Sequence, residues 1–152
     1  MKRKKKGKRA RMTDRLDELC RDIVRLIHKD VCYKCHRAVS GANSHPHHIV
    51  AKQKGASQRR FDMLNLVLLC FRCHRLWHDS PTEVIPWYET TKMYQTRDLY
   101  LDKYRWGKPA PITDAEMEAL IVEYKAKRKE LQDEPHLPPE RPQIAREATN
   151  ST

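Results

Sequence analysis

The apolar positions of this chain change period several times, and each change marks an expected element. From Thr13 to about Lys29, Leu16, Leu19, Cys20, Ile23, Leu26 and Ile27 recur at helical spacing, with Thr13 or Asp14 placed to cap the start. The stripe then stops. Val31 to Ser40 reads as a turn, Gly41-Ala42-Asn43 as a loop, and His47 to Ala51 as a short strand. Lys52 to Arg60 is a basic loop, and the continuous apolar run Leu66 to Leu69 suits a buried strand. A helix is expected from near Phe71 to about Asp79. Ser80-Pro81-Thr82-Glu83 then combines a capping residue, a first-turn proline and a glutamate, which opens another helix that Pro86 interrupts or restarts. Trp87 to Tyr104 is expected to be helical. The capping box Thr113-x-x-Glu116 opens a last helix to about Leu131, with Met117, Leu120, Ile121 and Tyr124 on one face.

The two ends depart from this pattern. Met1 to Arg11 carries Lys2, Arg3, Lys4, Lys5, Lys6, Lys8, Arg9 and Arg11 with no acid, so residues 1–12 are expected to form a disordered basic arm. Pro135, Pro138, Pro139 and Pro142 make residues 133–152 an expected disordered tail. Between them lie a main domain over 13–106 and the helix within 107–132.

Charge and cysteine usage narrow the function. A net charge of +11 points to a polyanionic partner. No apolar run approaches the ~18 residues of a membrane span, and the basic N-terminus lacks the apolar half of a signal peptide, so no membrane association is expected. Four of the five cysteines form two C-x-x-C pairs, Cys32/Cys35 and Cys70/Cys73, which favours a metal over disulfides and a reducing, cytosolic or nuclear setting. Paired thiolates on tight turns suit four-coordinate structural zinc, which would staple a small core. Cys20, left over on the helical stripe, is expected to be a small buried hydrophobe.

A second set of chemistry-bearing residues interlocks with the first. His74 and His78 are four apart, so on a helix they share a face and can share an ion. Cys73 is rotated by ~100° from His74, so the cysteine can face the zinc while the histidines face elsewhere. Trp77, four after Cys73, is expected on the zinc side. His47 and His48 point to opposite faces of a regular strand. A bend would let one bind an ion while the other aims at a water, and His45 offers an alternative register. Asn65, nine residues before His74, can brace the loop by hydrogen bonds. Such a pocket suits phosphodiester hydrolysis by a neutral histidine acting as general base, with one divalent ion.

The run Cys32-x-x-Cys35, His47-His48-Ile49-Val50 and Asn65-Leu66-Val67-Leu68-Leu69-Cys70-x-x-Cys73-His74-x-x-x-His78 resembles the HNH (ββα-metal) endonucleases. The resemblance implies an α+β fold: a small ββα-metal core with structural zinc knuckles, flanked by N- and C-terminal helices, in a nuclease domain over 13–106. It implies His48 as general base and Asn65 as the residue orienting it. His47, His74 and His78 would be ligands of a catalytic Mg²⁺, Mn²⁺ or other divalent ion, and the four cysteines would hold structural Zn²⁺. Many members have an acid before the base, where this chain has His47. Lys52, Lys54, Arg59, Arg60 and Arg72 are expected phosphate contacts, from charge and nearness. Arg59-Arg60-Phe61-Asp62-x-x-Asn65, the Trp106 segment and the Thr113 helix are also similar to phage NinG/Rap-type recombination nucleases, which implies branched DNA as substrate and the cytoplasm of a bacterial or phage-infected cell as the setting. The alternatives are a non-catalytic zinc-ribbon nucleic-acid-binding protein, or a recombination accessory acting through its C-terminal helices.

Overall fold

The structure, a computed structural model, describes residues 6–52, 55–106 and 110–134. Lys54, the first five residues of the basic arm and the proline-rich segment from Pro135 lie outside the described residues. The elements are α1 Lys8–Ile27, β1 His45–His48, α2 Gln58–Phe61, β2 Leu66–Leu69, α3 Phe71–Asp79, α4 Pro81–Glu89, α5 Lys92–Arg105 and α6 Asp114–Asp133, with 3-10 turns at Gly41–Asn43 and Met63–Asn65. Helices thus surround one small sheet.

Helix α1 begins well before the capping position expected at Thr13 or Asp14, inside the segment expected to be disordered. Its N-cap is Gly7, and the Thr13 hydroxyl donates instead to the Arg9 carbonyl within the helix. Tertiary partners overcome the repulsion of the basic block. The Arg9 guanidinium reaches the Asp114 carboxylate and the Ile112 carbonyl, and Lys8 pairs with Glu118 at 2.7 Å. Most of the expected stripe packs: Leu16, Leu19, Cys20 and Ile23 are buried, joined by Val24, facing a core that includes Met117 and Tyr124 of α6, while Ile27 at the end of the helix is exposed. The expected capping box of α6 forms, with Thr113 Oγ1 accepting from the Glu116 amide and Glu116 Oε2 accepting from the Thr113 amide.

Past α1, Lys29 and Asp30 take left-handed backbone angles, which ends the helix. The chain folds into a tight hairpin closed by a Val31–Ala38 bridge. Inside it the Cys32 amide donates to the Arg37 carbonyl and the His36 amide to the Cys32 carbonyl, both at 2.9 Å. The Tyr33 amide donates to the Leu68 carbonyl at 2.9 Å, so the cysteine turn is docked on β2.

Strands β1 and β2 pair antiparallel, with His45 opposite Leu69, His47 opposite Val67 and His48 opposite Leu66. All four β2 residues are buried, as their unbroken apolar run requires. Cys70 follows at once and caps α3, its sulfur accepting from the Cys73 amide at 3.4 Å.

The single helix expected over Trp87 to Tyr104 is two. Thr91 separates them: its hydroxyl donates to the Tyr88 carbonyl at 2.6 Å and accepts from the Tyr94 amide at 3.2 Å, ending α4 and capping α5. Pro86 sits inside α4 without breaking it. The one amide it removes would have reached the Thr82 carbonyl, which lies in the solvent-exposed first turn. Ser80 starts α4 but makes no side-chain cap.

Helix α5 braces the turn before β2. Arg97 donates to the carbonyls of Leu64 (3.1 Å) and Leu66 (3.0 Å), on either side of Asn65. The hydroxyls of Tyr100 and Tyr104 donate to Asp62 Oδ2 at 2.7 and 2.6 Å. Among the described residues no helix is long and apolar enough to cross a membrane.

Candidate metal centre and catalytic pocket

The two cysteine pairs, with 34 residues between Cys35 and Cys70, meet because Tyr33 ties the first turn to β2 and Cys70 directly follows that same strand. The four sulfurs lie within 4.8 Å of one another, and Cys35 Sγ is 3.7 Å from Cys70 Sγ. A tetrahedron of ~2.3 Å zinc–sulfur bonds has edges of about 3.8 Å, so the spacing fits a four-thiolate ion. Burial pushes the Cys32 and Cys73 thiols up. Burial would also raise Cys35, but the Arg37 amide and the neighbouring thiols outweigh it and bring it down to about 7. Several thiolates crowded in one half-buried place require a countercharge, and a divalent cation bound to the sulfurs supplies it.

Strand alternation decides where the histidines point. His45 and His47 face α3, while His48 faces the other side, toward α1 and α2. His74 and His78 lie one turn apart on α3, and one ring nitrogen from each of His47, His74 and His78 lies within 4.8 Å of the others. His47 is 4% exposed, and its Nε2 is buried with no hydrogen-bond partner. An orphaned imidazole nitrogen beside two others is what a metal ligand looks like without its ion. Burial lowers the His47 imidazole to about 3, helped by the neighbouring histidines, and also lowers His74. Neutral imidazole is the ligating form. The residues therefore fit a divalent ion, with room for water and substrate in a cavity of about 490 Å³ lined also by His48, Ile49, Ala51, Lys52 and Trp77.

One expectation needs adjustment here. Trp77 does not face the cysteines: its ring centroid is 4.7 Å from that of His47, and it also meets Trp87 and Tyr88. Helical phase alone could not show that α4 lies across α3 and draws the indole to its side. His45, the alternative first ligand, lies outside the trio. Its ring stacks on His74 at 5.1 Å and an interplanar angle of 17°, with its own Nε2 buried and unpartnered.

His48 Nε2 lies 2.8 Å from the Arg60 carbonyl. A carbonyl oxygen only accepts, so Nε2 carries the hydrogen, and in the neutral ring the lone pair is left on Nδ1. Burial lowers the pKa of this imidazole, and the nearby Lys52 ammonium adds to the effect. Asn65 is wholly buried and fully used. Its Oδ1 accepts from the Val50 amide at 2.8 Å, and its Nδ2 donates to the carbonyls of Val50 and Arg59, both at 2.9 Å. It ties the segment after His48 to the one that carries Arg60.

The expected phosphate contacts divide. Arg59 is 4% exposed, donates to the Ala51 carbonyl at 3.1 Å and lies over the Tyr104 ring, so it is turned inward rather than toward a ligand. Arg60 makes a two-point ion pair with Asp17, at 3.0 and 2.6 Å, and donates to the Gly55 carbonyl. Both are structural, because a loop rich in arginine must satisfy the carbonyls and carboxylate that close it. Lys52 is exposed at the cavity, and Arg72 is exposed on α3. Asp17 and Arg21 of α1 wall the far side of His48 and were missed by sequence reasoning; their four-residue spacing on the polar face of α1 was the available signal.

Residues 32–80 match the HNH endonuclease family model. This segment is an HNH endonuclease domain. It contains the cysteine quartet, both strands and the whole of α3, so the HNH match and the geometry coincide. An HNH domain implies a nuclease acting on nucleic acid. The match leaves out α1, α4, α5 and α6, and the similarity to NinG/Rap-type proteins has no counterpart in it. No curated protein and no solved structure matches the chain significantly.

Proposed function

We propose that the protein is a metal-dependent DNA endonuclease that hydrolyses phosphodiester bonds. The observation that carries this reading is the unpartnered, buried Nε2 of His47 within a three-histidine cluster, one residue along β1 from an imidazole whose second nitrogen is already engaged. His47, His74 and His78 hold a single divalent ion, Mg²⁺, Mn²⁺ or another, which when bound polarises the phosphate and stabilises charge on the leaving oxygen. His48 is the general base. The Arg60 carbonyl fixes its tautomer and its ring plane, and Nδ1 takes the proton from the attacking water. Burial keeps this imidazole neutral at neutral pH, ready to accept. Asn65 touches no reacting atom in this scheme; it is a positioning residue that holds the Val50 and Arg59 backbones in register around His48.

The cysteine site holds a structural Zn²⁺, which fixes the first turn of α3 and with it the two α3 histidines. Lys52 and Arg72 contact backbone phosphates, and the charge of +11 adds affinity that falls with salt. The substrate is DNA, with branched DNA as the form suggested by the NinG/Rap similarity.

Cleavage of supercoiled plasmid and of a four-way junction with Mg²⁺, Mn²⁺ or chelator, comparing wild type with His48→Ala, tests the reading. Divalent-dependent cutting that is lost in the variant is expected. A folded, zinc-loaded wild type that cuts neither substrate would favour a non-catalytic zinc-ribbon binder.

A further inference from the structure

We propose that Arg21 of α1 and Lys52 form a subsite for a DNA backbone phosphate adjacent to the one being cut. The proposal rests on the nuclease reading and extends it to a helix outside the HNH segment. The histidine-lined cavity does not end at His48. Pro46, His48 and Lys52 also line a second depression of about 140 Å³, whose other walls are Asp17, Cys20, Arg21, Arg60 and Leu66. His48 is therefore a partition with the ion-binding trio on one side and α1 on the other.

The charges in this depression do not balance. Asp17 is engaged by Arg60 through both carboxylate oxygens, at 3.0 and 2.6 Å, so that pair cancels. Cys20 is neutral, since burial raises its thiol to about 12. Arg21 and Lys52 remain. Both are exposed, and neither makes a hydrogen bond or ion pair with any described residue. Asp17 and Arg21 are four apart on one face of α1, so the Asp17–Arg60 pair holds that face against the depression and keeps the Arg21 backbone in place. Two unopposed cations beside the general base offer what a phosphodiester needs, and a guanidinium can contact two of its oxygens at once. A strand whose scissile phosphate lies at the histidines must place a neighbouring phosphate to one side. The basic depression receives the one on the His48 side.

The test uses full-length, zinc-loaded protein and oligonucleotides with a mapped cut, each carrying one uncharged methylphosphonate at a position flanking it. Arg21→Ala is expected to lower kcat/KM by about tenfold, the size of one lost charge-assisted contact, and Arg21→Lys to recover most of it. One flanking methylphosphonate should cost the wild type a similar factor and cost Arg21→Ala little more, because the contact is already gone. Independent, multiplying losses at every flanking position, or an Arg21→Ala variant that cuts like wild type, overturn the subsite. If the wild type cuts nothing, DNA binding decides. A salt slope that falls by about one in Arg21→Ala sustains the phosphate contact, and an unchanged slope removes it.

Discussion

Asn65 and Val50 are joined twice: the Val50 amide donates to Asn65 Oδ1 at 2.8 Å, and Asn65 Nδ2 donates to the Val50 carbonyl at 2.9 Å. A side chain here imitates a neighbouring strand, completing backbone pairing where β1 has already ended. With no exposure at Asn65, water cannot replace these bonds. Asn65→Ala should cost about 3 kcal/mol or more, since each stranded buried group costs ~1–3 kcal/mol. Urea unfolding of the zinc-loaded variant measures this, and a loss below about 1 kcal/mol would show that the bonds matter little.

Removing the His48 imidazole should slow cleavage by about 10²- to 10⁴-fold, the usual worth of a general base. Its effect on divalent-ion affinity should be small, because it stands outside the trio. His74→Ala should show the opposite split, with weakened ion binding by calorimetry and the zinc content unchanged. Equal ion affinity in His74→Ala and wild type would take His74 out of the ligand set.

Trp77 reports on the same pocket. Its ring lies beside His47, so titrating a paramagnetic divalent ion into zinc-loaded protein should quench part of the tryptophan fluorescence. Trp77→Phe should abolish that component while leaving Trp87 and Trp106 emission. Quenching that survives the substitution places the ion elsewhere.

Cys70→Ser should be far more damaging than an ordinary buried substitution. The sulfur is one of the quartet and also the N-cap of α3. Loss of one zinc per chain is expected, with a fall of roughly 10 °C or more in melting temperature, since metal binding is folding free energy in such sites. Full zinc retention in the variant would contradict the four-cysteine arrangement.

His28 gives the protein an acid-side weakness. Burial, with help from Arg97, lowers it to about 4, and its ring packs edge-on against Tyr33. The unfolded chain, with an ordinary histidine near ~6.5, binds more protons between the two values. Stability therefore falls as pH drops from about 6.5 toward 4. Between pH 7 and pH 5 the His28 share is about 1–2 kcal/mol. His28→Gln should shrink the measured drop by that amount, and His47, His48 and His74 should keep the remaining slope in the same direction. Superimposable pH curves for variant and wild type would rule out the His28 contribution.

The elements that local chemistry dictates were the most legible in sequence, whereas β1 runs His45–His48 rather than the expected His47 to Ala51 because its pairing with β2 sets its limits. Leu66 to Leu69 is a strand with both faces buried, Phe71–Asp79 starts beside a sulfur cap, and Thr113 with Glu116 closes its own capping box. The two clusters that could hold a metal were legible in part for the same reason, since the spacings within 32–35, 70–73 and 74–78 act over a single turn. Long-range partners hid the rest. Nothing local says that Asp114 and Glu118 would draw residues 8 and 9 into α1, or that Asp17 would claim Arg60. Arg59 read as a surface cation because its burial depends on Tyr104, 45 positions later, as the numbering shows.

Arg97 makes one further point about where the working part of this molecule ends. It grips the carbonyls on both sides of Asn65, yet it belongs to a helix that the HNH segment does not include. A fragment trimmed to residues 32–80 would keep every cysteine and histidine donor and still lose this grip, along with the Asp17 carboxylate that steadies Arg60 and so the carbonyl against which His48 is set. The borders of the matched motif are narrower than the borders of the fold that positions these side chains, which reach from α1 at least as far as α5.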